Sequence, residues 1–218
     1  MKIVSIILAR GGSKGIPNKN IINISGKPMI YYSIYASQSA NVDSTYVSTD
    51  SKQIAMISEK YGAKIIKRPT DISTDTSSSE EALLHFCKNV NFDIMIFIQP
   101  TSPLLLGEDL IKGINIIKSG QATSVFSVYK EHWIPRWSLD INPINWNPQS
   151  RPRRQDMPEQ YVENGAFYIT TREQFLDSGI RYGEKNLDIV EMPLSRSIQV
   201  DTLSDLELVN KLLKKNDQ

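Results

Sequence analysis

The feature that most constrains the fold of this chain is the alternation of apolar and amphipathic segments over its first two-thirds. Continuous apolar runs over residues 3–9 and 92–99 are typical of strands buried on both faces of a sheet. Segments over residues 28–39, 50–61 and 108–118 have the pattern of helices. This β-loop-α order predicts an α/β fold, a Rossmann-like and mostly parallel sheet with helices on both faces.

Capping residues and shorter apolar segments complete the predicted elements. Ser78 followed by Glu81 is a capping box that starts a helix ending near residue 89. Asp50 with Gln53 is assigned the same role one helix earlier. The remaining predicted elements are strands over residues 45–48, 63–67, 122–128, 161–170 and 198–201, and a closing helix over residues 202–215.

The parallel arrangement also predicts where a ligand site lies. Right-handed crossovers place the loops that follow the strands along one edge of the sheet. Those loops span residues 10–20, 49–50 and 100–106. We therefore expect the site at that edge.

Length, charge and cysteine usage exclude several protein classes. The chain of 218 residues is long enough to bury a full core, and its net charge of +1 does not favour a nucleic-acid partner. One cysteine, Cys87, excludes an intrachain disulfide and a multi-cysteine metal site. The longest apolar runs fall short of the roughly 18 residues of a membrane span. We expect a cytoplasmic protein with neither a membrane nor a nucleic-acid partner.

The alternation stops at residues 129–160, which hold all three tryptophans and a basic cluster at residues 151–154. Long irregular segments inside domains are uncommon, and they are usually functional or covered by a partner. We expect a single domain over residues 1–218 in which residues 129–160 form a small flap for dimerisation and substrate binding. A flap folded on its own core is the alternative.

A glycine-rich basic loop follows the first strand directly. Arg10, Lys14 and Lys19 carry three positive charges around Gly11 and Gly12, whose backbone N–H groups can approach a ligand closely. Arginine binds phosphate as a bidentate fork and lysine as a point charge, so the loop has the chemistry of a polyphosphate site. It matches neither the Walker pattern nor Gly-x-Gly-x-x-Gly.

The order of several motifs resembles the acylneuraminate cytidylyltransferases, the CMP-sialic acid synthetase family. The N-terminal signature Ala-Arg-Gly-Gly-Ser-Lys-x stands at residues 9–15, and Lys-Asn follows at residues 19–20. Later matches are Gly26-Lys27-Pro28, Ser48-Thr49-Asp50, Lys67-Arg68-Pro69, the Ser/Thr-rich loop to Ser79, Gln99-Pro100-Thr101-Ser102-Pro103-Leu104, Arg154-Gln155 and Asn164-Gly165-Ala166-Phe167-Tyr168. The resemblance covers nearly the whole chain and implies a fold of the nucleotide-diphospho-sugar transferase type.

The resemblance also implies a reaction. The anomeric hydroxyl of a sugar would attack the α-phosphate of CTP and release pyrophosphate, while lysine, arginine and Mg²⁺ neutralise the transferring phosphate. The acceptor would be an acidic nine-carbon 2-keto-3-deoxy sugar, such as sialic, legionaminic or pseudaminic acid, and the enzyme a homodimer. The catalytic residues implied are Arg10, Lys14, Lys19 and Asp201.

Binding roles follow from the same matches. Nucleotide contacts are expected from Ala9, Arg10, Gly11, Gly12, Ser13, Lys14, Asn20, Arg68 and Ser79. Acceptor contacts are expected from Gln99, Thr101, Ser102, Asn164, Tyr168 and Arg154. Arg154 resembles an arginine that such enzymes lend to a neighbouring subunit; the alternative is that the arginine cluster is a solvated loop. Gln99 has the alternative role of capping its strand end. Asn164 and Tyr168 lie four residues apart on a strand, so we expect them on one face with Glu163 on the other.

The metal site departs from the family pattern. The family carries Asp-x-Asp, whereas this chain has Gln199-Val200-Asp201. Asp201 is expected to hold Mg²⁺, since that ion takes one or two carboxylates plus phosphates and water. Gln199 would coordinate as a neutral ligand, change the metal affinity or displace a second metal. The alternative role of Asp201 is to cap the last helix, in competition with Asp205.

Two other functions stay open. A 3-deoxy-octulosonate cytidylyltransferase is disfavoured, because residues 99–103 stand where that branch carries an acidic Gln-Gly-Asp-type stretch. A catalytically weak nucleotide-binding paralogue has its best support in Gln199.

Overall fold

The structure is a computed structural model that describes residues 1–12 and 15–216. Ser13, Lys14, Asp217 and Gln218 lie outside the described residues. The strands are β1 Ile3–Leu8, β2 Asn23–Ile24, β3 Lys27–Pro28, β4 Ser44–Thr49, β5 Lys64–Lys67, β6 Ile94–Ile98, β7 Ser124–Glu131, β8 Arg136–Trp137, β9 Pro143–Ile144, β10 Gln160–Thr171 and β11 Leu187–Glu191. The α-helices are α1 Met29–Ser39, α2 Lys52–Lys60, α3 Ser79–Asn89, α4 Gly107–Lys118, α5 Arg172–Ser178 and α6 Leu203–Asn216.

Within the described residues, seven strands form one central sheet in the order β11-β7-β10-β6-β1-β4-β5. β1 pairs in parallel with both β4 and β6, β4 pairs in parallel with β5, and β7 with β11. β10 runs antiparallel between β6 and β7. The predicted mostly parallel sheet is therefore confirmed. Because parallel neighbours point the same way, the carboxyl ends of β1, β4 and β6 meet at one edge.

Alternation along the buried strands directs side chains into two apolar layers. Ile3 and Ile7 of β1 pack with residues of α1, α2 and α4, whereas Val4 and Ile6 pack with residues of α3 and α5. A third cluster joins α6 to Ile16 of the glycine-rich loop. Helices therefore lie on both faces, as predicted. Among the helices of the described residues, none combines the length and apolarity that crossing a membrane requires.

Helix capping follows the prediction at one helix and departs from it at another. Ser78 and Glu81 form the predicted capping box at the start of α3. At α2 the predicted cap, Asp50, is wrong, since the Ser51 hydroxyl accepts the capping hydrogen bond. Asp50 instead accepts a hydrogen bond from the Gly11 backbone N–H at 2.8 Å. Its carboxylate therefore contacts the glycine-rich loop.

The prediction for the last strand is also wrong. In the described chain, residues 198–201 belong to no strand, and the Val200 N–H donates to the Thr101 carbonyl at 2.8 Å. The strand that closes this side of the sheet is β11, which the sequence analysis missed. β11 has only five residues, two of them acidic, so its apolar pattern is weak.

A β-bulge in β10 reverses the predicted facing of two site residues. The pairing register with β7 shifts between Glu163 and Tyr168, where Gly165 has a φ of 65°. Tyr168 packs on the α3–α5 face and donates its hydroxyl to Glu163, whereas Asn164 donates its amide to Ser197. Between the two paired stretches β10 has four residues and β7 only one. The expectation that Asn164 and Tyr168 share a face is therefore wrong, because the three unmatched residues break the alternation of the strand.

Residues 132–159, between β7 and β10, hold the β8–β9 hairpin and a small aromatic cluster. The ring of Trp146 lies edge-on to those of Trp133 and Trp137, with centroids 6.3 and 5.0 Å away. Trp133 is buried, whereas Trp137, Leu139 and Ile141 are exposed. This segment lies within the predicted flap of residues 129–160, and it buries only part of its apolar surface.

Candidate active site

A cavity of about 400 Å³ opens at the carboxyl ends of β1 and β6. Two of the loops predicted to meet at this edge line it, and the third contacts the glycine-rich loop through Asp50. The lining residues are Leu8, Arg10, Gly15, Lys19, Asn20, Arg68, Ser77, Ser78, Ser79, Phe97, Gln99, Pro100 and Thr101. The structure thus brings together the predicted site residues Arg10, Lys19, Asn20, Arg68, Ser79, Gln99 and Thr101.

The glycine-rich loop is fixed at both ends by polar contacts. The Ala9 N–H donates to the Ser48 carbonyl at 3.0 Å, which extends the pairing of β1 and β4 into the loop. At the other end, the side-chain amide of Asn20 donates to the Arg10 carbonyl at 3.1 Å. Asn20 is 6% exposed, so it holds the loop as well as lining the cavity.

Both predicted phosphate-binding cations that line the cavity are paired with carboxylates. The Arg10 guanidinium lies 2.5 Å from Asp75 Oδ1, and Lys19 Nζ lies 2.9 Å from Asp201 Oδ1. These pairs are partly exposed, so water screens them and each contributes little stability. An incoming phosphate can therefore compete with the carboxylates for the same cations.

Of the remaining nucleotide-binding residues predicted in the glycine-rich loop, the described ones do not line the cavity. Ala9 is buried beneath the cavity, Gly11 is half-buried, and Gly12 is exposed on the loop. Ser13 and Lys14 lie outside the described residues.

Arg68 forms the buried floor of the cavity. It is 6% exposed, and its Nε and Nη2 donate to the Ser48 hydroxyl and carbonyl at 3.0 and 2.7 Å. Burial lowers the pKa of Arg68 to about 10; nearby Asp50 works against this shift and Arg10 adds to it. The group remains a cation at neutral pH, and its hydrogen bonds hold it in one orientation. Such a guanidinium suits recognition of ligand oxygen or nitrogen acceptors at a fixed position.

Ser79 is the first residue of α3, so the cavity is bordered by a helix N-terminus. Ser77, Ser78 and Ser79 all line the wall there. Backbone N–H groups in a first helical turn have no partner within the helix and carry the positive end of its dipole. This end of the cavity therefore favours polar or anionic ligand groups.

The β6 end of the cavity carries Gln99 and Thr101 in its wall. The Gln99 N–H donates to the Ala166 carbonyl at 3.0 Å, so the backbone of Gln99 continues the sheet. Among the described residues, the buried hydroxyls of Thr101 and Ser102 have no hydrogen-bond partner. Ser102 is not part of the cavity wall, whereas Thr101 is, although its hydroxyl is buried.

Besides Ser102, three predicted acceptor residues lie outside the wall of this cavity. Asn164 is buried, and its Nδ2 lies 2.9 Å from Ser197 Oγ. Tyr168 is 3% exposed behind the wall, with its ring stacked on Phe97 at a centroid distance of 5.5 Å. Arg154 is exposed in the flap.

Sequence reasoning missed three residues that shape the site. Phe97 lines the cavity from near the carboxyl end of β6, and the apolar run around it predicts an ordinary core residue. Asp50 was assigned to a helix cap, and Asp75 lay in a loop with several similar polar residues. Asp50 follows a strand that ends at the predicted edge, and this position was the signal available for it.

Comparison with known proteins decides the family. The model of the cytidylyltransferase family matches residues 4–216. The chain belongs to the cytidylyltransferase family. The predicted resemblance is confirmed.

Two relatives and one solved structure show how similar the chain is to known proteins. N-acylneuraminate cytidylyltransferase A of Danio rerio is 38% identical over 208 residues, covering 91% of this chain and 48% of that protein. The chain therefore spans about half the length of that relative. CMP-N,N'-diacetyllegionaminic acid synthase of Legionella pneumophila is 33% identical over 231 aligned positions, covering 100% of this chain and 99% of that protein.

The solved structure is a CMP:2-keto-3-deoxy-manno-octonic acid synthetase in complex with CTP. It has a TM-score of 0.74 and 20% identity, and the match covers 99% of this chain and 100% of that one. At this level of identity the likeness concerns the fold.

The residues around Asp201 fit one Mg²⁺ ion that they would hold jointly with phosphates. The N-cap of α6 is taken by Thr202 with Asp205, so the side chain of Asp201 is not needed there. Asp201 is exposed and shares one oxygen with Lys19. Gln199 donates its amide nitrogen to the Asn164 carbonyl, which leaves only its neutral oxygen as a ligand. Mg²⁺ accepts one carboxylate with phosphates and water.

Proposed function

We propose that this chain transfers CMP from CTP to an acidic nine-carbon 2-keto-3-deoxy sugar, a sialic acid or a relative such as legionaminic or pseudaminic acid. Family membership supports the nucleotide and the transfer. The names of the relatives support the class of acceptor. The single observation that carries the proposal is the cavity itself, where Arg10, Lys19 and Arg68 meet the start of α3 and the end of β6.

In this reaction the anomeric oxygen of the sugar forms a bond to the α-phosphorus of CTP. The bond from that phosphorus to the bridging oxygen of the β-phosphate breaks, pyrophosphate leaves, and the anomeric hydroxyl releases its proton to water. Arg10 and Lys19 are the cations that would stabilise negative charge on the phosphates as the bond order changes. Positioning and charge stabilisation are sufficient for such a transfer, without a covalent enzyme intermediate.

Mg²⁺ is the cofactor we propose, with Asp201 as its carboxylate ligand and Gln199 as an optional neutral one. When bound, the ion supplies further positive charge beside the phosphates. Lys14, in the glycine-rich loop with Arg10 and Lys19, is proposed as a third phosphate-binding cation.

We also propose a cytoplasmic homodimer that associates through the flap. Trp137, Leu139 and Ile141 leave apolar surface exposed there, and Arg154 lies in the same segment. Apolar surface of this kind is typical of protein interfaces. Arg154 would then contact the acceptor bound to the neighbouring copy.

Pyrophosphate release from the purified chain tests the function. CTP, Mg²⁺ and a panel of ulosonic acids are supplied, with ATP, GTP and UTP as nucleotide controls and the eight-carbon acid as an acceptor control. We expect release with CTP and a nine-carbon acid. Release with the eight-carbon acid alone would replace the proposed acceptor. CTP binding without release at any Mg²⁺ concentration would contradict the enzyme assignment, and the variant Gln199→Asp would then test whether the missing carboxylate is the cause.

A further inference from the structure

A cluster of charged and aromatic side chains lies directly behind the cavity wall, outside the site described above. At its centre is Arg181, in the irregular segment between α5 and β11. Its guanidinium lies 5.2 Å from the ring centroid of Phe97 and 5.1 Å from that of Tyr168. Phe97 lines the cavity, so Arg181 supports the wall from behind.

One end of this cluster reaches the helix that borders the cavity. Arg181 forms a two-point ion pair with Glu80, with Nε–Oε1 and Nη2–Oε2 distances of 2.7 and 3.0 Å. Glu80 follows Ser79 in the first turn of α3. Both partners are largely buried, at 17% and 25% side-chain exposure. Although burial opposes ionisation, the hydrogen bonds and charge of Arg181 lower the pKa of Glu80. The pair thus fixes the start of α3.

The other end reaches β10 through the next residue in the chain. The Tyr182 hydroxyl donates to both carboxylate oxygens of Glu163, at 3.0 and 2.8 Å. Tyr168 donates to the same carboxylate. The bulge at Gly165 is what brings Glu163 to this face. Adjacent residues therefore contact two elements: Arg181 pairs with α3, and Tyr182 pairs with β10.

We propose that Arg181 is a positioning residue that couples nucleotide binding to acceptor binding in this cytidylyltransferase. Its ion pair with Glu80 aims Ser79 at the nucleotide, and its contact with Phe97 and Tyr168 sets the opposite wall. The acceptor half of this statement rests on the proposed function, whereas the nucleotide half does not. Lysine cannot replace the planar fork that makes two hydrogen bonds and stacks on two rings.

The test compares Arg181→Met with a matched arginine on the same face of the sheet. Arg172 also stacks on a phenylalanine, with its guanidinium 5.0 Å from the Phe92 ring centroid, and donates to two backbone carbonyls. It lines no part of the cavity wall described. Arg172→Met therefore controls for lost packing and stability. Arg181→Lys tests the fork, and Glu80→Gln removes the charge of the partner with little change of volume.

CTP dissociation constants are measured by calorimetry with and without the acceptor acid, and KM for both substrates and kcat are measured by pyrophosphate release. We expect Arg181→Met to weaken CTP binding and raise the acceptor KM, each by about five- to tenfold, as loss of a charge-assisted pair predicts. The factor by which bound acceptor lowers the CTP dissociation constant should be smaller in this variant than in the wild type. Arg181→Lys and Glu80→Gln should show smaller shifts in the same direction, while Arg172→Met lowers the melting temperature and leaves both constants within twofold.

The outcomes separate this inference from the proposed function. If both Arg181→Met and Glu80→Gln leave CTP affinity and KM within twofold, Arg181 is only structural and the inference is overturned. If Arg181→Met does not fold, Glu80→Gln decides on the same criterion. If the wild-type chain binds CTP but uses no acid, the acceptor assignment fails, and weaker CTP binding in the variants still supports the nucleotide half. If the wild-type chain does not bind CTP, both the proposed function and the role of Arg181 are refuted.

Discussion

At the carboxyl edge of the sheet, Arg10, Lys19 and the Gly11 N–H each meet a carboxylate, whereas in the flap the side chains of Leu139 and Ile141 meet solvent. The cavity is a polar site whose cations Arg10, Lys19 and Arg68 already have partners within the chain. The flap is a surface on which several apolar side chains remain exposed. A ligand must therefore displace internal contacts at the cavity, while a second surface would add new contacts at the flap.

The difference follows from how each region is built. The cavity loops continue strands that are buried on both faces, so the position of each polar group is fixed by the core. The flap has one two-stranded hairpin and a tryptophan cluster, and isolated hairpins of this size are marginally stable in water. We therefore expect variants in the cavity to change ligand affinity and rate, and variants in the flap to change association.

The largest expected effect is that of Lys19→Met in the cavity. Loss of a phosphate-stabilising cation should lower kcat/KM for CTP by about 10²–10³, with little change in melting temperature. Lys130→Met is the matched control, since Lys130 pairs with Glu159 in the flap. Steady-state pyrophosphate release measures both variants. Equal losses in the two would contradict a specific role for the cavity lysine.

A tenfold or greater loss of self-association is expected for Leu139→Asp in the flap, because a buried charge at an apolar interface is strongly unfavourable. CTP affinity should stay within twofold. Met56→Asp, on the exposed face of α2, is the control. Sedimentation velocity over a range of concentrations gives the association constants. A monomeric wild-type chain at all concentrations would refute the dimer.

A smaller effect, in the opposite direction, is expected for Asp75→Asn. Without the competing carboxylate, Arg10 is free for phosphate, and CTP should bind about two- to fivefold more tightly, the range of an exposed ion pair. Asp71→Asn, in the same loop, should leave the affinity unchanged, since Asp71 accepts a hydrogen bond from the neighbouring Ile72 N–H. Titration calorimetry with CTP distinguishes the two variants. Weaker binding by Asp75→Asn would show that Asp75 positions Arg10 and does not compete for it.

The smallest expected effect is a pH-dependent stability difference between the wild type and Glu80→Gln. The pKa of Glu80 is lowered from 4.5, so its ionised form stabilises the fold above that pH, and the contribution is lost as the pH falls below 4.5. The wild type should melt roughly 2 °C higher at pH 7, and the gap should close toward pH 3. Scanning calorimetry at several pH values measures this. A gap that widens on acidification would contradict the assigned direction.

The sequence by itself determined the architecture and most of the nucleotide site. The apolar runs of β1 and β6 specify strands buried on both faces, and parallel strands bring their following loops to one edge. The placement of Arg10, Lys19, Arg68 and Gln99 in one cavity follows from that arrangement. The capping box of Ser78 and Glu81 was also predicted from the sequence, since its hydrogen bonds lie within one helical turn.

Only the tertiary structure decided which side chains face each other across the sheet. A positive φ at Gly165 and three unmatched residues in β10 place Tyr168 and Glu163 on the face opposite Asn164. Periodicity cannot detect a bulge, because the pairing partner sets the register. The pairing of Glu80 with Arg181 spans about one hundred residues of chain. Contacts of this kind exist only once the sheet has brought distant segments together, so they carry no local sequence signal.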